Sequence, residues 1–539
     1  MPETTRPIHR STDRWRWLAL VAATAVFLFF VWRFHIPGRG LTALITFGDN
    51  QAARYLAEID PETTHITPQS HGYDAQWYAE LAVVPNLHDP RLDSAIDNLP
   101  YRARRILFCW TAYGAGLGEP RRVLNAFALQ NVVCWLLLGG LLLRWLPPTG
   151  WTNVARWLAV MFSFGLAFSV RCALVDGPSL LLIALGVALL ESGRPWLAAL
   201  VLGANGLGKE TNILAAGAPA WPREPTFRAW GGAALRCILV VLPLALWTAY
   251  TLHLFGVSGD DAGARNFAPP FAAFWHRAVA SVRELLNHPP VLAYSLGGVF
   301  TVVSLGTQLL FFVLRPRWND PWWRIGIAFG VLMAFLGESV WEGYPSAAAR
   351  VLLPMLLAFN LTLPRGARWW PVFLLGNLTL LSTPNFVRLP VGAEPAILDT
   401  PAAFARDPAL ARPFRSELAG PWYPSEQSLY DTWRWTAGTV EIVVLNPNPA
   451  PVAADLDFGL NSRDARFVAV EVAGCERWRG TATPDRQDVR VGAIPLPPGE
   501  THIRFLTDRP PAMTPGGRDS RELAFRLLDL RLRLRAATP

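Results

Sequence analysis

Long apolar runs constrain this chain more than any other feature. Residues 17–32 read WLALVAATAVFLFFVW, and further runs at 123–143, 230–255 and 291–314 approach or exceed the ~20 residues a membrane-spanning helix needs. Shorter apolar runs at 158–173, 176–190, 196–221, 325–340, 347–363 and 371–381 lie between them, while 106–117 suits an interfacial or re-entrant segment. Counting 196–221 as two segments broken at GANGLGKETN (203–212) predicts about 11 transmembrane helices. Composition agrees: 52% of residues are hydrophobic, 17% are charged, and the mean hydropathy is +0.24. That profile excludes an ordinary water-soluble enzyme.

Charge sets the orientation. Arg6, Arg10, Arg14 and Arg16 precede the first run, and 33–38 offers no small-residue cleavage site, so the reading is an uncleaved helix with residues 1–14 in the cytoplasm. The basic loops 315–324 and 365–368 then fall on the inside, and residues 34–104 form an outer loop. The net charge of +8 is spread in short arginine clusters beside apolar runs, which points to lipid headgroups and not to nucleic acid. The five cysteines lack metal or disulfide-framework spacing, and His71, His88, His276 and His288 lack metal-ligand spacing, so no metal ligands are assigned and no cofactor is required, a divalent metal remaining open.

The membrane part is expected to end at 384. Residues 385–438 are proline-rich and read as a linker. From 439 to 539 the pattern changes to short runs of period two, VEIVVL (440–445), RFVAVEV (466–472), HIRFL (502–506) and LDLRLRL (528–534), separated by turn residues. That is the signature of a soluble all-β sandwich. With 11 crossings it would lie outside.

In this topology the ionisable groups of several segments collect on the outer side. Asp74, in HGYDAQWY (71–78), is the candidate general base for an acceptor hydroxyl; equally, it can cap the helix that follows. Arg102 and Arg105, in YRARRIL (101–107), suit a lipid phosphate or contact with headgroups. Lys209 and Glu210 read as a phosphate ligand with its ion-pair partner, or as a structural pair. Asp176, before Gly-Pro, is a second acid or a helix cap. Glu342 and Arg350 can pair or hold substrate. Charges at membrane depth are costly and point to function.

Taken together, GYDAQWY (72–78), Leu92-Asp93, YRARRIL (101–107), DGP (176–178), KET (209–211) and ARVLLPMLLAFN (349–360) resemble the bacterial integral-membrane glycosyltransferases of the GT-C superfamily, over roughly residues 15–384. The resemblance implies a multispanning enzyme of the inner membrane with its active site on the periplasmic face. It would use a polyprenyl-phosphate sugar donor and a glycan, lipid or protein acceptor. It gives Asp74 the base role and places Gln76, Tyr78, Asp93, Arg102, Arg105, Asp176, Lys209, Glu210, Glu342 and Arg350 around substrate. The segments WYPSE (422–426), WRW (433–435) and DSRELAF (519–525) resemble β-sandwich modules of surface-glycan enzymes, whose aromatics stack on sugars or fill the core. The alternative function is a non-catalytic polytopic protein, a lipid-linked glycan transporter or an assembly scaffold.

Overall fold

The computed structural model describes residues 10–67, 70, 72–222, 226–256, 266–287, 295–341, 346–386, 397–401, 403–404, 407–427, 432–513 and 521–536. The chain divides into two compact units, Met1–Thr67 with His71–Pro390, and Val391–Pro539 with Pro68–Ser70.

The first unit is helical. Among the described residues four helices are long and apolar enough to cross a membrane: Arg14–Trp32, Pro120–Leu142, Phe227–Phe255 and Leu296–Leu314. A fifth span results if Trp151–Met161 and Phe164–Arg171, bent by 44°, count as one. This is fewer than the 11 read from hydropathy, because several apolar runs are broken. Pro321–Phe335 and Leu353–Thr362 are short helices. The 196–221 run breaks where the sequence indicates, but its two pieces, a helix Pro195–Gly206 and a 3-10 segment Glu210–Gly217, are each shorter than a span.

The spanning helices leave apolar side chains on the outside, as a lipid-facing surface requires: Trp15, Leu18, Val21, Phe29 and Trp32 are all exposed. Their inner faces are held by aromatic packing with satisfied indoles. Phe27 stacks on Trp135 at 3.8 Å between centroids, Trp135 Nε1 donates to Met161 O at 2.9 Å, and Trp157 Nε1 donates to Gly139 O at 2.9 Å. Arg156 is buried, and its guanidinium donates to the carbonyls of Asn360, Leu363 and Pro364. These lie at the C-terminal end of Leu353–Thr362, where unpaired carbonyls attract a cation.

Two glycines permit close approaches that position the site. A Cβ at Gly165 would lie 2.5 Å from Ala349 O, so Phe164–Arg171 can pack directly against the short helix Ala348–Val351 that carries Arg350. A Cβ at Gly208 would lie 2.5 Å from Phe108 Cε2. Beside it Leu107 N donates to Leu207 O at 3.1 Å, pinning the helix Leu107–Ala115 to the break before Lys209.

The second unit is a β-sandwich. One sheet has the order Cys475–Ala482, Arg466–Val472, Gly499–Thr507, Val440–Asn446, Arg415–Ala419. The other runs Gln487–Leu496, Val452–Asn461, Arg526–Ala536, Thr432–Thr436, Trp422–Gln427, and Leu398–Asp399 adds a short parallel pairing to Arg526–Ala536. Val440–Asn446 alternates buried and half-buried positions, the period of a strand with one face inward. The inner faces share one core, with Phe458 of one sheet edge-on to Phe505 of the other at 5.3 Å. The segment 385–438 is therefore not simply a linker: four strands within it are paired. Their lengths of two to six residues are too short for periodicity to register, and Pro424 lies inside Trp422–Gln427.

Candidate functional site

The helix Ala75–Val83 begins directly after Asp74, whose backbone is already helical and whose side chain makes no capping hydrogen bond. The carboxylate instead meets Arg102: Nη2 donates to Asp74 Oδ1 at 3.1 Å and to Asp97 Oδ2 at 2.7 Å, while Nε donates to Asp97 Oδ1 at 2.9 Å. Arg350 approaches from the far end of the sequence, with Nη2 3.9 Å from Asp74 Oδ2 and Nη1 3.4 Å from Asp176 Oδ2. Lys209 Nζ donates to Asp176 Oδ1 at 2.5 Å. Arg105 Nε donates to Glu210 Oε2 at 2.8 Å, Nη1 to Tyr78 Oη at 2.9 Å and Nη2 to Tyr101 Oη at 2.6 Å. Lys209 and Glu210 thus do not pair with each other. Adjacent in sequence, they diverge to opposite partners, and the Leu107–Leu207 bond brings Arg105 beside Glu210.

All of these groups except Asp97 line one cavity of about 430 Å³. Among the described residues its wall carries five cationic side chains, Arg102, Arg104, Arg105, Lys209 and Arg350, against three carboxylates, Asp74, Asp176 and Glu210. The balance favours an anion. Leu174, Val175, Leu332, Leu336, Val340 and Val351 supply the apolar part of the wall. Arg102 and Arg105 are largely enclosed, with side chains 9% and 17% exposed, so they face the cavity and not a lipid surface. The Asp74 side chain keeps 39% of its exposure although protein surrounds it, because it opens onto the cavity.

Burial alone would raise the Asp74 pKa, but Arg102, Arg350 and Arg105 outweigh it and hold the carboxyl below the usual range. Tyr78 is buried beneath the two arginines, and burial pushes its phenol up to about 12 despite them. It therefore serves Arg102 and Arg105 as a neutral acceptor, at 3.4 and 2.9 Å.

The remaining expected residues lie elsewhere. Gln76 is buried behind the site, accepting from Gly48 N at 3.2 Å and Tyr55 Oη at 2.8 Å. Asp93 is exposed and lines a separate surface cleft with Arg54, Arg91 and Asp97. Asp97, which also lines that cleft, is the acid of this segment that pairs with Arg102: the helix Leu92–Ala95 ends at an extended Ile96, and Asp97 follows it. Glu342 falls outside the described residues. Tyr101 and Arg104 were not singled out from the sequence, although their place beside Arg102 and Arg105 in one short basic segment is a signal. Among the described residues no three His, Cys, Asp or Glu side chains gather as metal ligands would. In the sandwich, Trp435 is buried, Arg526 lies over the Trp433 and Trp435 rings at 5.3 and 5.2 Å, and Trp422 Nε1 donates to Ala419 O.

Fold and site together define a helical membrane protein with a charged cavity and an added β-sandwich. No protein-family model matches the chain, and no curated protein matches it. Two solved structures are similar in part. Arabinosyltransferase EmbB from Mycobacterium smegmatis aligns over 99% of this chain and 66% of its own, with 12% identity and a TM-score of 0.26. TmCBM61 in complex with beta-1,4-galactotriose aligns over 22% of this chain and 87% of its own, with 14% identity and a TM-score of 0.15.

Proposed function

We propose that this protein is a membrane glycosyltransferase that moves a sugar from a polyprenyl-phosphate donor to a hydroxyl of a glycan, lipid or protein. The observation that carries the reading is an accessible carboxylate, Asp74, set among an excess of guanidinium and ammonium groups in one cavity. Such a pairing suits a reaction in which a hydroxyl loses a proton while a phosphate departs.

In the proposed step the acceptor oxygen attacks the anomeric carbon. The bond from that carbon to the phosphate oxygen breaks, and its electron pair leaves with the phosphate. The hydroxyl proton passes to Asp74. Arg102, Arg105 and Lys209 stabilise the departing phosphate, and the enclosed wall strengthens each contact. Arg102 couples the two halves. A donor phosphate that draws its guanidinium relaxes its grip on Asp74 and raises the proton affinity of that carboxylate as the acceptor needs it. Asp176 bridges Lys209 and Arg350 and offsets their charge. In this reading the cavity opens on the periplasmic side of a bacterial inner membrane.

The test is transfer of radiolabelled sugar from polyprenyl-phosphate donors in membranes, comparing wild type with Asp74→Asn at equal abundance. Loss of about 10²-fold or more supports the base role. An unchanged rate removes it, and a wild type inactive with every donor overturns the enzyme reading in favour of a transporter or scaffold.

A further inference from the structure

A second, apolar groove of about 830 Å³ lies in the helical unit. Its walls are the last turns of the first spanning helix, Phe27, Phe30 and Val31, facing Phe162, Ala167 and Val170. Two guanidiniums, Arg33 and Arg171, are the charged groups in this lining, which apart from Thr383 is otherwise apolar. Arg33 directly follows the span Arg14–Trp32, which places it at the membrane–water boundary. Arg171 lies over the Phe34 ring at 4.5 Å and donates to Thr46 Oγ1 at 3.4 Å. Neither arginine has a carboxylate partner among the described residues.

An apolar slot beside a membrane span, with two uncompensated cations at the boundary, is complementary to one kind of molecule. We propose that the groove binds an anionic phospholipid of the surrounding bilayer, with an acyl chain between the first helix and Phe164–Arg171 and its phosphate on Arg33 and Arg171. The groove shares no lining residue with the charged cavity. Between them stands the helix Phe164–Arg171, whose Phe168 touches Tyr73 and Arg350 while Ala167, Val170 and Arg171 face the groove. A lipid seated here holds its phosphate away from Asp74, so it is not the sugar donor, and the inference stands whether or not the cavity transfers sugar.

The lipid also has a short route to the cavity. Thr46 accepts from Arg171 through its hydroxyl and from Tyr73 N through its carbonyl, at 3.4 and 3.0 Å, and it adopts φ 61°, which a β-branched residue rarely does. Tyr73 immediately precedes Asp74.

The test uses the purified full chain in neutral detergent, with phosphatidylglycerol and phosphatidylcholine of identical acyl chains as probes and native mass spectrometry as readout. One phosphatidylglycerol per chain is expected, retained about 10-fold more strongly than phosphatidylcholine. Arg33→Gln/Arg171→Gln is expected to abolish the preference. Ala167→Trp, which fills the groove and keeps both arginines, is expected to abolish retention of either lipid, and a melting curve shared with wild type confirms that each variant is folded. Equal retention of the two lipids, or retention unchanged in Ala167→Trp, overturns the proposal. So does displacement of phosphatidylglycerol by equimolar undecaprenyl phosphate, which would make the groove a polyprenyl site.

Discussion

Arg102 holds Asp74 and Asp97 at once, its Nη2 lying 3.1 Å from one carboxylate and 2.7 Å from the other. The planar guanidinium grips Asp97 through both Nε and Nη2 while Nη2 also meets Asp74, a two-nitrogen geometry that a lysine's single ammonium does not reproduce. Arg102→Lys is therefore expected to behave like Arg102→Ala, each lowering sugar transfer by about 10²-fold, the size typical of a lost transition-state charge contact. The stability loss is expected to be about 1–3 kcal/mol. That is below the cost of breaking a fully buried pair because Asp74 and Asp97 keep 39% and 40% exposure. Activity assays beside chemical denaturation in detergent check both numbers.

Asp74 is depressed below its ordinary range by Arg102, Arg350 and Arg105 against the opposing effect of burial. The ionised form is the favoured one, so its contribution to stability is present above the unfolded value and is lost as pH falls through the lower folded value. Arg350→Gln removes one of the three cations and is expected to move the acid limb of the transfer pH profile upward. A limb that stays in place would show that another group limits the rate.

Glu80 shifts the other way. It is fully buried two turns after Asp74, accepts from Leu56 N at 3.1 Å, and burial raises its carboxyl to about 8 despite that bond. Below the unfolded value both states are protonated, and the favourable term is lost as pH rises from there through the folded value. Wild type is therefore expected to lose stability between about pH 4.5 and 8, by up to about 1.4 kcal/mol per unit. Glu80→Gln keeps the acceptor for Leu56 and is expected to flatten that dependence in thermal unfolding scans.

Lys209 and Asp176 are enclosed, with side chains 9% and 4% exposed. Lys209→Met is expected to cost about 3–5 kcal/mol by leaving Asp176 to Arg350 alone, and Asp176→Asn a similar amount. The double variant is expected to cost clearly less than the two together, since each change removes the charge the other strands. A double-mutant cycle by denaturant unfolding measures the coupling.

Much of this was legible in the residues. The alternation at 440–446 marked a strand, and the glycine-rich break at 203–208 placed Lys209 at the end of an interrupted helix, as found. The partnerships were not legible. Asp74, Asp176 and Arg350 come from segments about a hundred residues or more apart, and no local spacing encodes their meeting. Asp93 and Asp97 stand four apart and would share a face of an unbroken helix; one extended residue, Ile96, separates their fates. Hydropathy also counts apolar length without seeing where a helix stops, which is why its tally of spans exceeds the number of long helices.

Gly165 never lines the charged cavity, yet the nearest atom to a methyl group there would be Ala349 O at 2.5 Å. A methyl would displace the backbone that carries Arg350, lengthening its reach to Asp176 and Asp74. In a saturation mutational scan, position 165 would then score like a substrate contact, intolerant even of alanine. A map drawn from such a scan would outline the active region one helix layer too wide, with its spurious rim tracing where the two backbones touch.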